Sequence, residues 1–182
     1  MSRSKIQKLT TMGILVAISI VLIFSFRIPF PAAPFLEYDA GDIPILIGGF
    51  IYGPLAGIII TVIASVVQAL TVSSVNGWIG CFMHIFATSA LVGIAGIIYS
   101  KNKTLKGAII GLICGSICMT AIMLILNLIL NPIFYGMPID TVKKLIVPAL
   151  LPFNLLKAGI NSLITLLVYK SVGKLLKRIA GK

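Results

Sequence analysis

The run LIVPALLPFNLLKAGINSLITLLVY, residues 145–169, indicates a membrane protein, because it is long and apolar enough to cross a lipid bilayer as a helix. One cation, Lys157, lies inside it, between Asn154 and Asn161. The spacing i, i+3 and i+7 places these three on one helix face, extended by Thr165. A charge at this depth costs roughly 2.5–3.5 kcal/mol. The alternative is snorkelling to the interface, which a distance of about ten residues, roughly 15 Å, from the start of the apolar run disfavours. The run therefore predicts an interior polar site.

The composition is that of an integral membrane protein with a single domain, residues 1–182. Of 182 residues, 59% are hydrophobic and only 10% charged, and the mean hydropathy is +1.14. The net charge of +11 is divided among short segments between apolar runs, which indicates orientation in a lipid bilayer and not nucleic-acid binding. The first apolar run lacks a cleavage site, so no removable signal peptide is expected. The cysteines lie in apolar runs and predict no metal site.

The apolar runs predict six transmembrane helices. The stretch 43–72 is about thirty residues, too long for one ordinary span, and Gly53-Pro54 divides it. Six spans keep the basic segments 3–8, 101–106 and 170–182 in the cytoplasm, whereas five would move the last two outside. We therefore expect an all-α membrane protein with cytoplasmic N- and C-termini. The predicted helices are residues 9–26, 43–53, 54–72, 79–99, 105–131 and 147–170, with an outer loop at 27–42.

The predicted outer loop combines prolines, aromatic residues and acids. Pro29, Pro31 and Pro34 exclude a regular helix. This topology places every acid of the chain on the outer side, namely Glu37, Asp39, Asp42 and Asp140. The loop is either a solvated connector or a semi-rigid segment over a cavity mouth, and the physical argument leaves these about even.

Polar side chains from four predicted helices fall at the same depth, in the outer half of the membrane. They are Ser65, Gln68, His84, Asn127, Asn131, Asn154 and Lys157. A single such residue usually makes an interhelical hydrogen bond, and this is the favoured interpretation of His84. A layer of them predicts a pocket that opens outward and binds a polar, largely uncharged ligand.

The chain lacks the sequence motifs of an ATPase, a serine hydrolase or a zinc protease, so no catalytic residues are expected. On the predicted topology no acid lies inside the membrane to relay protons or sodium, and the chain has no inverted halves. These absences predict a protein that binds a ligand but cannot power its movement.

Small residues at helical spacing lie in the first helix, at Gly13 and Ala17. Such residues allow close helix approach. They either pack within the bundle or form an outward face that docks another membrane subunit.

Three sequence blocks resemble the riboflavin-specific S components of energy-coupling-factor (ECF) transporters. They are LEYDAGDIP at 36–44, GPLAG at 53–57 and LPFNLLK at 151–157. The resemblance implies that Asn154, Lys157 and Asn127 contact riboflavin and that the loop Phe35-Leu36-Glu37-Tyr38 closes the site. It also implies delivery through a transmembrane coupling subunit and two ATPases in a prokaryotic plasma membrane. In this family a first-helix small-residue motif, here with Gly13 at its first position, docks that subunit.

The residues agree with this ligand without identifying it. Asparagine amides both donate and accept, and Lys157 can donate to a carbonyl of the flavin ring. A pocket with one cation and no acid would bind the cation thiamine poorly but would accept an anionic vitamin such as biotin or pantothenate, which is the first alternative. The second is a membrane assembly subunit without a transport role, and an enzyme is a distant third. No cofactor is expected besides the transported riboflavin.

Overall fold

The computed structural model describes residues 3–71 and 77–179, apart from the side chains of residues 4, 170 and 172–179. The end of the predicted third helix at residue 72 and most side chains of the basic C-terminal tail therefore lie outside the described residues. The elements in chain order are α1 (Arg3–Ser25), β1 (Ile28–Phe30), β2 (Ala33–Tyr38), α2 (Asp42–Tyr52), α3 (Pro54–Thr71), α4 (Gly77–Lys101), α5 (Leu105–Tyr135), α6 (Ile139–Leu145) and α7 (Leu151–Ile179).

Five helical segments of the described chain are long and apolar enough to cross a membrane. They are Lys5–Ser25, Pro54–Thr71, Gly77–Lys101, Leu105–Tyr135 and Ile139–Tyr169. Helix α2, with 11 residues, is apolar but rises only about 16 Å, roughly half the thickness of the hydrocarbon core. The break predicted at Gly53-Pro54 is confirmed. Gly53 has φ +92°, a conformation that favours glycine, and α3 begins at Pro54.

The predicted outer loop is a β-hairpin for most of its length. Strands β1 and β2 pair antiparallel, with Ile28 opposite Tyr38 and Pro29 opposite Glu37. The prolines exclude a helix, as expected, but they are compatible with a two-stranded ribbon whose edges need no further partners. The segment is therefore an ordered structure and not a plain connector.

A π-helical turn, Ile146–Leu150, joins α6 to α7, so the last helical segment starts well before the predicted residue 147. Pro148 and Pro152 lack the backbone N–H that a regular α-helix needs here, and π turns accommodate such interruptions. The turn directly precedes α7, the helix that carries the predicted polar face.

Glycines allow α4 and α5 to pack closely at one end of the bundle. A Cβ at Gly111 would lie 2.8 Å from the Ala95 carbonyl oxygen, and one at Gly115 would lie 2.6 Å from that of Leu91. The aromatic rings of Phe50, Tyr99 and Tyr169 pack together towards the same end. This end is therefore filled, and the opposite ends of the same helices have space for a cavity.

Candidate functional site

A cavity of about 680 Å³ lies between the hairpin and helices α3, α4, α5 and α7. This volume is within the range of pockets that hold small organic molecules. Eight of the predicted ligand contacts line it, namely Phe35, Leu36, Gln68, His84, Asn127, Asn131, Asn154 and Lys157. The polar layer inferred from the sequence therefore surrounds one space.

Tyr38 is the predicted contact that does not line the cavity. Its hydroxyl donates to Asn161 Oδ1 at 2.9 Å, which ties the end of β2 to α7. The hydroxyl of Tyr38 is therefore directed to α7, whereas Phe35, Leu36 and Glu37 of the same strand line the cavity.

Lys157 has an acidic partner inside the bundle. Its Nζ donates to Asp39 Oδ2 at 2.7 Å, and both side chains are only 9% exposed. The expectation of a pocket without an acid is therefore wrong. The chain after β2 turns inward, so an aspartate assigned to the solvated side of the membrane reaches Lys157 near the start of α7. A lysine buried in a membrane is costly without a counter-ion, and the chain has only four acids. These two facts could have indicated from the sequence that one of the acids pairs with Lys157.

Asp42 is a second buried acid, at the start of α2. It accepts hydrogen bonds from Thr88 Oγ1 at 3.0 Å and Asn161 Nδ2 at 3.1 Å, and His84 Nε2 lies 3.1 Å from it. The side chain is fully buried. The expectation that no acid lies inside the bundle is therefore wrong here too, because three polar groups on α4 and α7 take the place of water around this carboxylate.

His84 connects three helices while it also faces the cavity. Its Nδ1 lies 2.7 Å from Ser65 Oγ on α3, opposite the contact of its Nε2 with Asp42 on α2. Both ring nitrogens are engaged by protein groups. His84 therefore makes interhelical contacts, as the sequence favoured, and it also lines the cavity.

Asn154 lines the cavity and has a buried acceptor with no partner among the described residues. Its Nδ2 donates to the Leu150 carbonyl of the π turn at 2.7 Å, which fixes the orientation of the amide. Its Oδ1 is buried and has no hydrogen-bond partner among the described residues. A buried acceptor without a partner costs roughly 1–3 kcal/mol, so this atom is suited to a ligand N–H or O–H.

Asn127 and Asn131 are linked along α5. Asn127 Nδ2 donates to the Met123 carbonyl at 2.7 Å, and Asn131 Nδ2 donates to Asn127 Oδ1 at 3.0 Å. Both side chains are buried at the cavity wall. These bonds fix the amides in place, and the remaining N–H and oxygen groups are available to a bound molecule.

The described residues that line the cavity carry balanced charge. The two cations are Arg27 and Lys157, and the two acids are Glu37 and Asp39. Arg27 forms an ion pair with Glu37 across the hairpin, with both side chains partly exposed, and Lys157 pairs with Asp39 deep inside. These four charges balance one another within the lining.

The rest of the lining is largely apolar, with Met119 and Met123 on α5 and Phe153 on α7. Phe153 packs against Phe30 of the hairpin, with ring centroids 5.5 Å apart. Methionine and aromatic side chains make favourable contacts with flat rings. The cavity therefore combines an apolar body with a few fixed polar groups.

Gly13 and Ala17 lie on an exposed face of α1. A Cβ at Gly13 would meet no described atom within 4 Å. Of the two alternatives raised by the sequence, packing inside the bundle is therefore wrong, and the pair belongs to an outward surface.

Comparison with known proteins identifies relatives over nearly the whole chain. The model of the family "ECF transporter, substrate-specific component" matches residues 7–169. The riboflavin transporter RibU of Staphylococcus aureus (strain TCH60) is 34% identical over 180 residues, 95% of this chain and 94% of the relative. The riboflavin transporter FmnP of Bacillus subtilis (strain 168) is 30% identical over 174 residues, 91% of each chain.

A solved structure of the S component of a bacterial ECF transporter superposes with a TM-score of 0.82 at 32% identity. The match covers 95% of this chain and 99% of that one. The chain therefore has the fold of an S component whose structure has been solved.

Proposed function

Since the chain belongs to the family of substrate-specific components of ECF transporters, we propose that it is the riboflavin-binding subunit of such an importer. It is a multi-pass protein of the bacterial plasma membrane. It captures riboflavin from outside the cell and delivers it through a transmembrane coupling subunit energised by two ATPases. Its relatives are transporter components and not enzymes.

The observation that carries the proposal is the pair of groups at Asn154 and Lys157. Asn154 offers a buried acceptor that no other described residue uses, and Lys157 offers N–H donors on the same helix. The ring system of riboflavin has an imide edge, an N–H between two carbonyls. An acceptor next to a donor matches that edge, because the N–H pairs with Asn154 and a carbonyl pairs with Lys157.

The charge balance of the cavity favours an uncharged ligand over the alternatives. Riboflavin is neutral, whereas biotin and pantothenate carry a carboxylate and thiamine a permanent positive charge. Each lining cation, Arg27 and Lys157, already has an acidic partner, so an added charge of either sign would be desolvated without a free counter-ion. The alternative of an anionic vitamin is therefore disfavoured.

The hairpin covers the bound ligand in this proposal. Phe35 and Leu36 face the cavity from β2, while Tyr38 and Asp39 anchor the strand to α7. An anchored strand loses little conformational freedom when it closes over a ligand, so its apolar side chains can shield the ring from water at small entropic cost.

The chain crosses the membrane six times in this proposal, with the short α2 completing one crossing. Lys8 Nζ lies 5.7 Å from the ring centroid of Tyr52, and Ser19 Oγ donates to the Gly41 carbonyl at 2.7 Å. Helix α2 therefore spans the part of the membrane that lies between Ser19 and Lys8 of α1. The remaining part is made by β2, three of whose residues line the cavity, and by residues 39–41, which are buried in protein. Non-helical backbone at membrane depth is tolerated in these two settings.

Six crossings bring both termini to one side, and the basic segments 3–8 and 101–106 identify that side as the cytoplasm. The cavity then faces outward, because it is lined by the opposite ends of α4 and α5. The exposed small-residue face at Gly13 and Ala17 lies near the middle of α1, where the coupling subunit can approach closely.

Riboflavin uptake tests this function. Cells that cannot make or import riboflavin should accumulate labelled riboflavin when they express this chain together with a coupling subunit and both ATPases. They should not do so when the chain, or the ATPase activity, is missing. Uptake that is equal with and without the chain would contradict the proposal and favour a membrane assembly subunit without a transport role.

A further inference from the structure

We propose that Asp39 sets the charge selectivity of the cavity. Its carboxylate neutralises Lys157 and so restricts the site to uncharged flavins, against flavins that carry a phosphate ester. This inference rests on the proposed function, since it takes riboflavin as the ligand. It assigns to Asp39 a positioning and selectivity role that needs no contact with the flavin itself.

The contact between Asp39 and Lys157 joins two otherwise distant parts of the chain. Lys157 Nζ donates to Asp39 Oδ2 at 2.7 Å, and the other carboxylate oxygen accepts the Gly41 N–H at 3.0 Å. The backbone carbonyl of Asp39 accepts a hydrogen bond from Asn161 Nδ2 at 3.1 Å. Side chain and backbone are thus both fixed, so the carboxylate cannot turn away from the lysine.

Asp39 neutralises the charge of Lys157 but occupies only one of its N–H donors. An ammonium group carries three N–H donors, and the carboxylate accepts one bond from it. The remaining donors can reach a ligand carbonyl, while the formal charge is balanced within the wall. A neutral ligand therefore gains hydrogen bonds without leaving an unpaired charge in a buried site.

Removing only the carboxylate would convert the same wall into an anion site. Lys157 is 8% exposed, so an unpaired ammonium there would be poorly screened by water and salt. Asp42 does not line the cavity and is already bonded to Thr88 and Asn161, so a ligand with a negative charge would supply the missing counter-ion on the cavity side. The present preference for neutral ligands is therefore a property of the pair and not of Lys157 alone.

A purely mechanical role for the pair predicts a different result. The hairpin is also tied to α7 by the hydrogen bond between Tyr38 and Asn161. If the ion pair only held the hairpin, its loss would weaken the binding of every flavin by the same factor. The ratio of two affinities, one for a charged flavin and one for a neutral flavin, separates the two roles.

The test compares the wild type with Asp39→Asn, each titrated in detergent with riboflavin and with riboflavin 5′-phosphate. We expect the ratio of Kd for the phosphate to Kd for riboflavin to fall by about tenfold or more in Asp39→Asn, as one unpaired charge within about 10 Å of the phosphate predicts. An unchanged ratio would overturn the proposal. A wild type that binds no riboflavin would instead overturn the proposed function.

A second pair of variants removes the dependence on a buried, unpaired lysine. Lys157→Met leaves Asp39 as the excess charge, and the double variant Asp39→Asn/Lys157→Met leaves none. The phosphate-to-riboflavin ratio should be about tenfold lower in the double variant than in Lys157→Met. Equal ratios in these two variants would overturn the proposal, whether or not Asp39→Asn folds.

Discussion

Lys157→Met is expected to weaken riboflavin binding by about 10- to 100-fold. A hydrogen bond from a charged donor is worth roughly 1.5–3 kcal/mol, and each 1.4 kcal/mol is a factor of ten in Kd. Methionine fills a similar volume but donates nothing, so the loss reports the hydrogen bonds of the ammonium. The variant should also be less heat-stable, because it leaves Asp39 buried without its partner.

Quenching of flavin fluorescence on titration of the purified protein measures this affinity. Lys143→Met is the matched control, because Lys143 lies on α6 with an exposed side chain and a weak ion pair to Asp140. The control should bind as the wild type does. Equal affinities for Lys157→Met and the wild type would show that Lys157 does not contact the ligand. If Lys157→Met fails to fold while Asp39→Asn/Lys157→Met folds, the double variant measures the same loss.

Ala17→Leu, and likewise Gly13→Leu, should abolish most riboflavin uptake while leaving riboflavin binding near the wild-type level. Both residues lie on an exposed face of α1, away from the cavity lining. A leucine at either position holds two membrane helices apart where small residues would let their backbones approach. We expect uptake to fall by about tenfold or more, since helix packing at such sites depends on close contact.

The control for Ala17→Leu is Ala121→Leu, the same change at an exposed position of α5. Uptake by this variant should equal that of the wild type, because added bulk facing lipid costs little. Wild-type uptake by Ala17→Leu would show that the coupling subunit docks elsewhere. Equal losses in the two alanine variants would point to a general effect on folding or insertion into the membrane.

Periodicity was sufficient to predict the helical part of the fold. The polar face of α7 and the break at Gly53-Pro54 both follow from local spacing. The membrane also restricts the choices, since backbone polar groups in lipid must be satisfied within helices. Helix ends were less accurate, as at α6, where the π turn continues the helix past Pro148.

The hairpin and its buried acids were not predictable in the same way. Asp39 and Lys157 are 118 positions apart in the chain, and no local pattern connects them. Aspartates that follow three prolines resemble a solvated loop, and only the tertiary fold removes them from water. The contact of Tyr38 was not predictable for the same reason. Its aromatic ring suggested a ligand contact, whereas in the fold its hydroxyl donates to Asn161.

Riboflavin binding by this chain is tested most directly by titrating the isolated, purified protein with riboflavin, biotin, pantothenate and thiamine. Riboflavin is expected to bind saturably at one molecule per chain, to give a yellow protein and not to be displaced by the three charged vitamins. Binding of biotin or pantothenate in place of riboflavin, or no binding of any flavin, would contradict this expectation.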